Sequence, residues 1–197
     1  MRIFLTLVVI IFSLQSWTKA DDIRDFQIEG MSIGDSLQTY IDNNKFTKYD
    51  AADYFTDDRI TLYQTLPSDF DEFEQVDISF YTSDKMKIIL SISGVIITNY
   101  KDCLKKKKEI SMSVKELLEG ANYTYEDRNE KHGIDKTGKS KLSTSYFYLG
   151  DKIENKARDL VAVQCLDFSN HLPYDDALKL YVAKGEYVDW LTYEAYN

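Results

Sequence analysis

The sequence predicts an α+β fold, an antiparallel sheet with helices packed on one face. Three observations carry this. Short runs at 73–81, 88–92, 142–149, 159–168 and 178–182 alternate apolar with polar residues or are rich in β-branched ones, the signature of strands. Helical periodicity is confined to 99–120 and 186–196, with a shorter candidate at 35–44. The strands come in runs rather than alternating one for one with helices, which excludes the regular βαβ units of a parallel sheet.

The first twenty residues read as a cleaved secretory signal. Arg2 gives the positive start, Ile3–Leu14 is almost wholly apolar, and Thr18-Lys19-Ala20 ends on a small residue suited to cleavage. The apolar run is too short to span a bilayer comfortably, and no later run approaches that length. No cysteine stands near the cleavage point, which argues against a lipid anchor. Residues 21–197 then form a single α+β domain, long enough for one core and short for two. The signal contains two bases and no acid, so its removal moves the formal charge from −9 to −11. That balance disfavours nucleic acid or an anionic membrane as partner.

The central feature is the stretch from Lys85 to Gly120. Ile88, Leu90 and Ile92 mark a strand. Asn99 is placed to cap the following helix, with Asp102 at its third position near the positive end of the dipole. Cys103, Ile110, Val114 and Leu117 form one stripe of that helix, and Gly120 ends it. Upstream, 21–29 is a polar lead with edge-strand character. Asp35 and Gln38 make a capping-box pattern before Leu37, Tyr40 and Ile41, with Asn43-Asn44 as the stop. Residues 48–59 read as a short helix or loop, and Leu66-Pro67-Ser68-Asp69 as a turn. Val76, Ile78 and Phe80 lie on one face of the 73–81 strand, which turns at Ser83-Asp84 into the central one. Residues 122–126 and 142–149 are strands, and the polar segment 127–141 is a long, mobile hairpin loop. Val161, Val163 and Cys165 share a strand face, and Tyr187, Trp190 and Leu191 one side of the last helix.

Cys103 and Cys165 are the only cysteines, both in the exported part. In an oxidising compartment such a pair is most simply one disulfide; the alternative is two buried thiols.

Other groups have bland readings. The run Lys105–Lys108 lies on a helix beside Asp102 and Glu109, a solvated face with i,i+4 pairs. Asp69, Asp71, Glu72, Glu74 and Asp77 supply oxygens for calcium but lack EF-hand spacing and its glycine. His132 and His171, the only histidines, show no metal-ligand spacing, so neither metal nor cofactor is expected. Tyr146 and Tyr148 share a strand face and are the candidate binding residues; the alternative is that they simply cover the sheet. Asn122-Tyr123-Thr124 is a glycosylation triplet, relevant only in a eukaryote.

Gly34-Asp35-Ser36-Leu37 resembles the opening block of the GDSL, or SGNH, hydrolases. That resemblance implies an ester hydrolase with Ser36 as nucleophile and a late Asp and His, for which the chain offers Asp167 and His171. The family's Asp-x-x-His is here one residue wider, and its Gly-x-Asn-Asp block is missing. Asp35 capping a helix that Ser36 opens explains the same letters. Phe26-Gln-Ile-Glu-Gly-Met-Ser-Ile-Gly-Asp-Ser-Leu, Ser91-Ile-Ser-Gly, Cys103-Leu-Lys-Lys-Lys-Lys-Glu-Ile and Asp189-Trp-Leu-Thr-Tyr-Glu-Ala-Tyr together resemble small exported bacterial proteins of unassigned function. The resemblance implies a periplasmic or secreted setting and no activity. Ile33-Gly-Asp-Ser-Leu is more loosely similar to the start of small envelope-assembly lipoproteins, whose lipidated cysteine this chain lacks. The function expected is therefore an exported, non-catalytic binding or envelope-associated protein. It would meet a protein or small ligand that the sequence does not name, and the GDSL-type esterase is the alternative.

Overall fold

The structure is a computed structural model and describes residues 20, 22–40, 46–48, 55–65, 72–133 and 135–195. The expected signal up to Lys19, the expected Asn43-Asn44 stop, the expected Leu66–Asp69 turn and the acids Asp69 and Asp71 lie outside the described residues. A small hairpin of β1 (Gln27–Ile28) and β2 (Met31–Ser32) comes first. Its turn places Glu29 at φ 52° and Gly30 at φ 76°, the paired left-handed conformations that match the twist of a two-residue hairpin. The large sheet contains β3 (Phe46–Lys48), β4 (Ile60–Thr65), β5 (Gln75–Tyr81), β6 (Ser91–Ile97), β7 (Tyr123–Lys131), β8 (Lys141–Leu149), β9 (Asp159–Asp167) and β10 (Ala177–Ala183). Two helices complete the fold, α1 (Tyr100–Leu117) and α2 (Gly185–Tyr193). The strand order is β3-β4-β5-β6-β10-β9-β8-β7, antiparallel throughout. The α+β class and the antiparallel sheet are as the sequence predicts.

Register assigns the faces. Ile78, Ile92, Val182, Val161 and Phe147 stand opposite one another across five strands and are all buried. This inner face is covered by α1 over β8, β9 and β10 and by the N-terminal segment over β6 and β9. The alternate residues form the outer face, and α2 meets that one. The Ser79 hydroxyl donates to the Tyr187 hydroxyl (3.4 Å), the Tyr81 hydroxyl to Glu186 (3.1 Å), and Tyr187 packs on Tyr181. The helices expected on one face are thus divided between two, because α2 follows β10 through only Lys184 and closes a second, smaller core of Ile60, Leu90, Ala183, Tyr187, Trp190 and Ala195.

α1 is built as its sequence dictates. The Asn99 side chain accepts from the Asp102 N–H (3.0 Å), Cys103 and Val114 are buried while Ile110 and Leu117 pack at the margin of the core, and Gly120 adopts φ 88°. Cys103 and Cys165 are joined, with Cα atoms 5.7 Å apart, fastening α1 to β9. At the far end of α1, the N–H of buried Ala20 donates to the Leu117 carbonyl (3.0 Å), one of the orphan acceptors of a helix C-terminus.

Several expectations change. Over 35–40 the expected helix is one 3-10 turn, Leu37–Thr39, and 41–44 lie outside the described residues. Asp35 does not cap it: its carboxylate accepts from the Ser32 N–H (2.9 Å) and the Tyr40 hydroxyl (2.7 Å), and Gln38 donates to the Lys85 carbonyl. Main-chain pairing won there, since Gly34, Leu37 and Ile89 exchange bonds along 34–37 and 87–89 and Ser36 bridges Ile88. The central strand therefore starts at Ser91, and the turn after β5 is a longer excursion in which Asp84 holds the N–H groups of Met86 and Ile88. Strand β4 went unread despite its Ile-Thr-Leu-Tyr-Gln-Thr alternation.

The expected loop 127–141 is shorter in the structure, because strand takes up 127–131 and 141. β7 continues to Lys131, and what remains is a tight loop organised by buried Asp135. That carboxylate accepts from the Thr137 N–H (2.8 Å) and hydroxyl (2.6 Å), the Ser140 N–H (2.8 Å) and hydroxyl (2.7 Å), and the Ser169 hydroxyl (3.0 Å). The Thr137 and Ser140 bonds hold its carboxyl well below the usual carboxylate range.

Candidate binding face

The outer face between α2 and the β7 edge is where polar side chains gather. Three rows cross it. Ser91, Ala183, Leu160 and Tyr148 form the row next to α2. Asp77, Ser93, Tyr181, Ala162, Tyr146 and Glu126 form the next. Gln75, Val95, Lys179, Gln164, Thr144 and Arg128 form the third. Small residues make the floor: Ser93, Ala162 and Thr144 are all buried.

The rows are strongly cross-linked. Asp77 accepts from Gln75 (2.7 Å), Gln64 (3.2 Å), Ser93 (3.3 Å) and Lys179 (3.2 Å). Gln164 donates to Thr144 (3.0 Å). A half-buried carboxylate with four donors is satisfied, so Asp77 organises the floor and does not reach outward. This places one of the acids considered for calcium. Glu74 is spent on the Ile97 N–H (3.1 Å) and Glu72 adjoins Glu29. Among the described residues no group of three His, Cys, Asp or Glu is placed to hold a metal ion.

Tyr146 and Tyr148 lie side by side on β8 with ring centroids 5.8 Å apart and planes 14° from parallel. The Arg128 guanidinium lies 5.3 Å from the Tyr146 ring and the Arg158 guanidinium 4.9 Å from the Tyr148 ring. The result is a ladder, Arg128–Tyr146–Tyr148–Arg158, held by stacking and cation–π attraction. The Tyr146 phenol also interacts with Thr144. Burial pushes both phenols above their ordinary pKa and keeps them protonated. Glu126 neutralises Arg128 through two bonds (2.7 and 2.6 Å), while Arg158 has no carboxylate within ion-pair distance among the described residues. Comparison with protein-family models, with curated proteins and with solved structures found no match for this chain.

Arg158 is placed by the start of α2. Gly185 packs on the Ala157–Arg158 backbone, Asp159 accepts from the Gly185 N–H (2.8 Å) and the Lys184 ammonium (3.0 Å), and Asp189 accepts from the Ala157 N–H (2.9 Å). Neither arginine was found by reading the sequence. Both lie far from the tyrosines along the chain, and only the β7–β8–β9 register brings them together.

The residues of the hydrolase reading stand apart. The Ser36 hydroxyl donates to the Met86 carbonyl (2.6 Å). Ser36 sits beside Ile88, at the end of the sheet where Ser91 pairs with Ala183. Asp167 and His171 flank the turn leading to Ala177, which pairs with Ile97 at the other end. Seven strand residues separate the two ends, roughly 20 Å at about 3.3 Å per residue.

The run Lys105–Lys108 is not uniform. Lys107 turns inward to Asp127 (3.1 Å) and Ser143 (3.0 Å). Asp127 also accepts from Ser145 (2.6 Å) and Tyr125. Burial pushes the Asp127 carboxyl up, but the bonds from Ser145, Tyr125 and Lys107 outweigh it and leave the pKa below its ordinary value. Ser143 is buried beneath this cluster, which ties α1 to β7 and β8. Among the described residues no helix is long and apolar enough to cross a membrane.

Proposed function

We propose that the chain is an exported, periplasmic or secreted, non-catalytic binding protein whose contact surface is the outer sheet face at Tyr146, Tyr148 and Arg158. Its ligand is anionic and bears carboxylates. The observation that carries this reading is Arg158, a guanidinium over the Tyr148 ring with no carboxylate within ion-pair distance among the described residues, in a chain of net charge −9. A planar guanidinium matches a carboxylate in bidentate geometry, and the neighbouring phenols add donors. Export is supported by the Arg2–Ala20 pattern and by the Cys103–Cys165 pair, since disulfides persist in oxidising compartments. The hydrogen bond of Ser36 to Met86 and its distance from Asp167 and His171 speak for binding over ester hydrolysis.

The test is calorimetric titration with acidic oligosaccharides (oligogalacturonate) and with a neutral oligosaccharide of equal length. The acidic series is expected to bind and the neutral one not. Arg158→Gln is expected to weaken binding at least tenfold, about 1.4 kcal/mol, with a loss of thermal stability no larger than that of one cation–π contact, about 0.5–1 kcal/mol. Equal affinity for both series, or no effect of Arg158→Gln, would overturn the reading. Export is tested by intact mass of the secreted protein, expected to begin at Asp21. Retention of residues 1–20 would count against it, and retention of Ala20 alone would move cleavage one residue upstream and keep the Ala20 bond to Leu117.

A further inference from the structure

Strand β7 ends the sheet. Among the described residues no strand pairs with its outer edge, and Thr124–Lys131 are all exposed. A nine-residue unpaired edge offers a row of free N–H and C=O groups to any strand that fits. The ends of the β7–β8 ladder show which residues turn outward. The His132 N–H donates to the Ser140 carbonyl, and the Asn122 carbonyl accepts from the Gly150 N–H. The register runs without a break between them, so even-numbered residues bond to β8. Tyr123, Tyr125, Asp127, Asn129 and Lys131 therefore aim their main-chain groups at the free edge.

We propose that this edge pairs antiparallel with the same strand of a second copy of the chain, with Asn129 opposite itself on the two-fold axis. The charge sequence selects this register. Any such pairing sets one residue opposite its own copy. Between Glu126 and Lys131 every residue except Asn129 is charged, so every other centre there puts two like charges face to face, at a cost. Centring on Tyr123, Thr124 or Tyr125 creates no opposite-charge pair. Centring on Asn129 sets Asp127 against the second copy's Lys131 and Arg128 against its Glu130, each twice by symmetry. The two-fold axis stands perpendicular to the sheet, so the outer faces of the copies form one continuous surface. Six main-chain hydrogen bonds form, two at Asn129 and two at each Asp127–Lys131 pair. The same charges reject foreign edges, which would not carry the complement.

The chain's net charge of −9 opposes association at long range. At physiological ionic strength, with a Debye length of about 8 Å, that repulsion is screened more than pairs in direct contact. The overlap is short, so the dimer is expected to be weak, forming near roughly 100 µM.

Sedimentation of the purified protein across that range tests the proposal. The expected result is a concentration-dependent shift from one chain to two. Lys131→Glu, at an exposed residue with no ion pair among the described residues, sets a second carboxylate against Asp127 and is expected to weaken the dimer at least tenfold. Asn129→Cys reads the register: Cα atoms of a hydrogen-bonded antiparallel pair lie about 5.5 Å apart, within disulfide reach. Mild oxidation is expected to give a covalent dimer with Asn129→Cys and none with Thr124→Cys. A protein that stays monomeric, a dimer indifferent to Lys131→Glu, or cross-linking at Thr124→Cys but not Asn129→Cys would overturn the proposal. Ligand binding at Arg158 is read on the outer face and not from the β7 edge, so its own titration decides it whichever result the dimer gives.

Discussion

Gly185 lies against the main-chain carbonyl of Ala157: a Cβ at 185 would stand 2.2 Å from that oxygen and 2.9 Å from its carbon. The glycine is therefore required by the close approach of two backbones, not by its own conformation. It lets α2 begin directly after β10 while the 157–159 segment runs beside it, and this fixes where Arg158 leaves the chain. Gly185→Ala is expected to force the segments apart and cost about 1–3 kcal/mol, the range for overpacking. Thermal melting should show a drop of several degrees, and an unchanged midpoint would refute the contact.

Reduction of Cys103–Cys165 is the second prediction. The bridge closes a separation of 62 residues, for which the loop-entropy model gives about 4 kcal/mol. For a domain of this size that corresponds to a fall in Tm of roughly 8–16 °C. Thiol titration of denatured, unreduced protein should find no reactive cysteine. Two per chain would show that the thiols are free.

Acid sensitivity follows from two carboxylates. Side-chain and main-chain bonds from Arg24 lower the pKa of Asp22 to about 2, and Asp135 is held well below its ordinary value by Thr137 and Ser140. A carboxyl whose pKa is lower folded than unfolded stabilises the fold above the unfolded value, near 3.9, and loses that contribution as pH falls through the folded value. Stability should therefore decline between about pH 4 and about pH 2 for Asp22, and below about pH 4 for Asp135. Denaturant titrations over this range should show a flatter acid limb for Asp135→Asn than for the parent. Parallel limbs would remove Asp135 from the account.

Ser36 should behave as a structural residue. Its hydroxyl is committed to the Met86 carbonyl, so a fluorophosphonate probe is expected not to label it, and Ser36→Ala should cost about 1 kcal/mol of stability through the lost bond. Labelling that disappears in Ser36→Ala would restore the esterase reading.

The local chemistry of α1 was fully legible. Asn99, Asp102 and Gly120 act within one or two turns of themselves, and the stripe from Cys103 to Leu117 needs only helical spacing. Alternation likewise exposed most strands, since a half-buried strand carries its pattern internally. The 35–44 helix misled because its capping pattern competes with main-chain pairing to 87–89, a partner some fifty residues away. The 127–141 loop misled because an edge strand exposed on both sides has no alternation to read, and β7 is charged where a central strand would be apolar.

The sequence by itself determined most strands near the core, the capped helix and the acidic balance, because each depends on composition or on neighbours within a few residues; it left the two cysteines as a bridge or as buried thiols, and the structure joins them. Tertiary structure alone decided which face each helix covers, that Asp135 gathers Thr137, Ser140 and Ser169, and that Arg128 and Arg158 close the Tyr146–Tyr148 ladder. The arginine–tyrosine ladder and the Asp135–Ser169 bond form only through strand register and order, and a one-residue slip would move the ladder's strand side chains to the opposite face of the sheet.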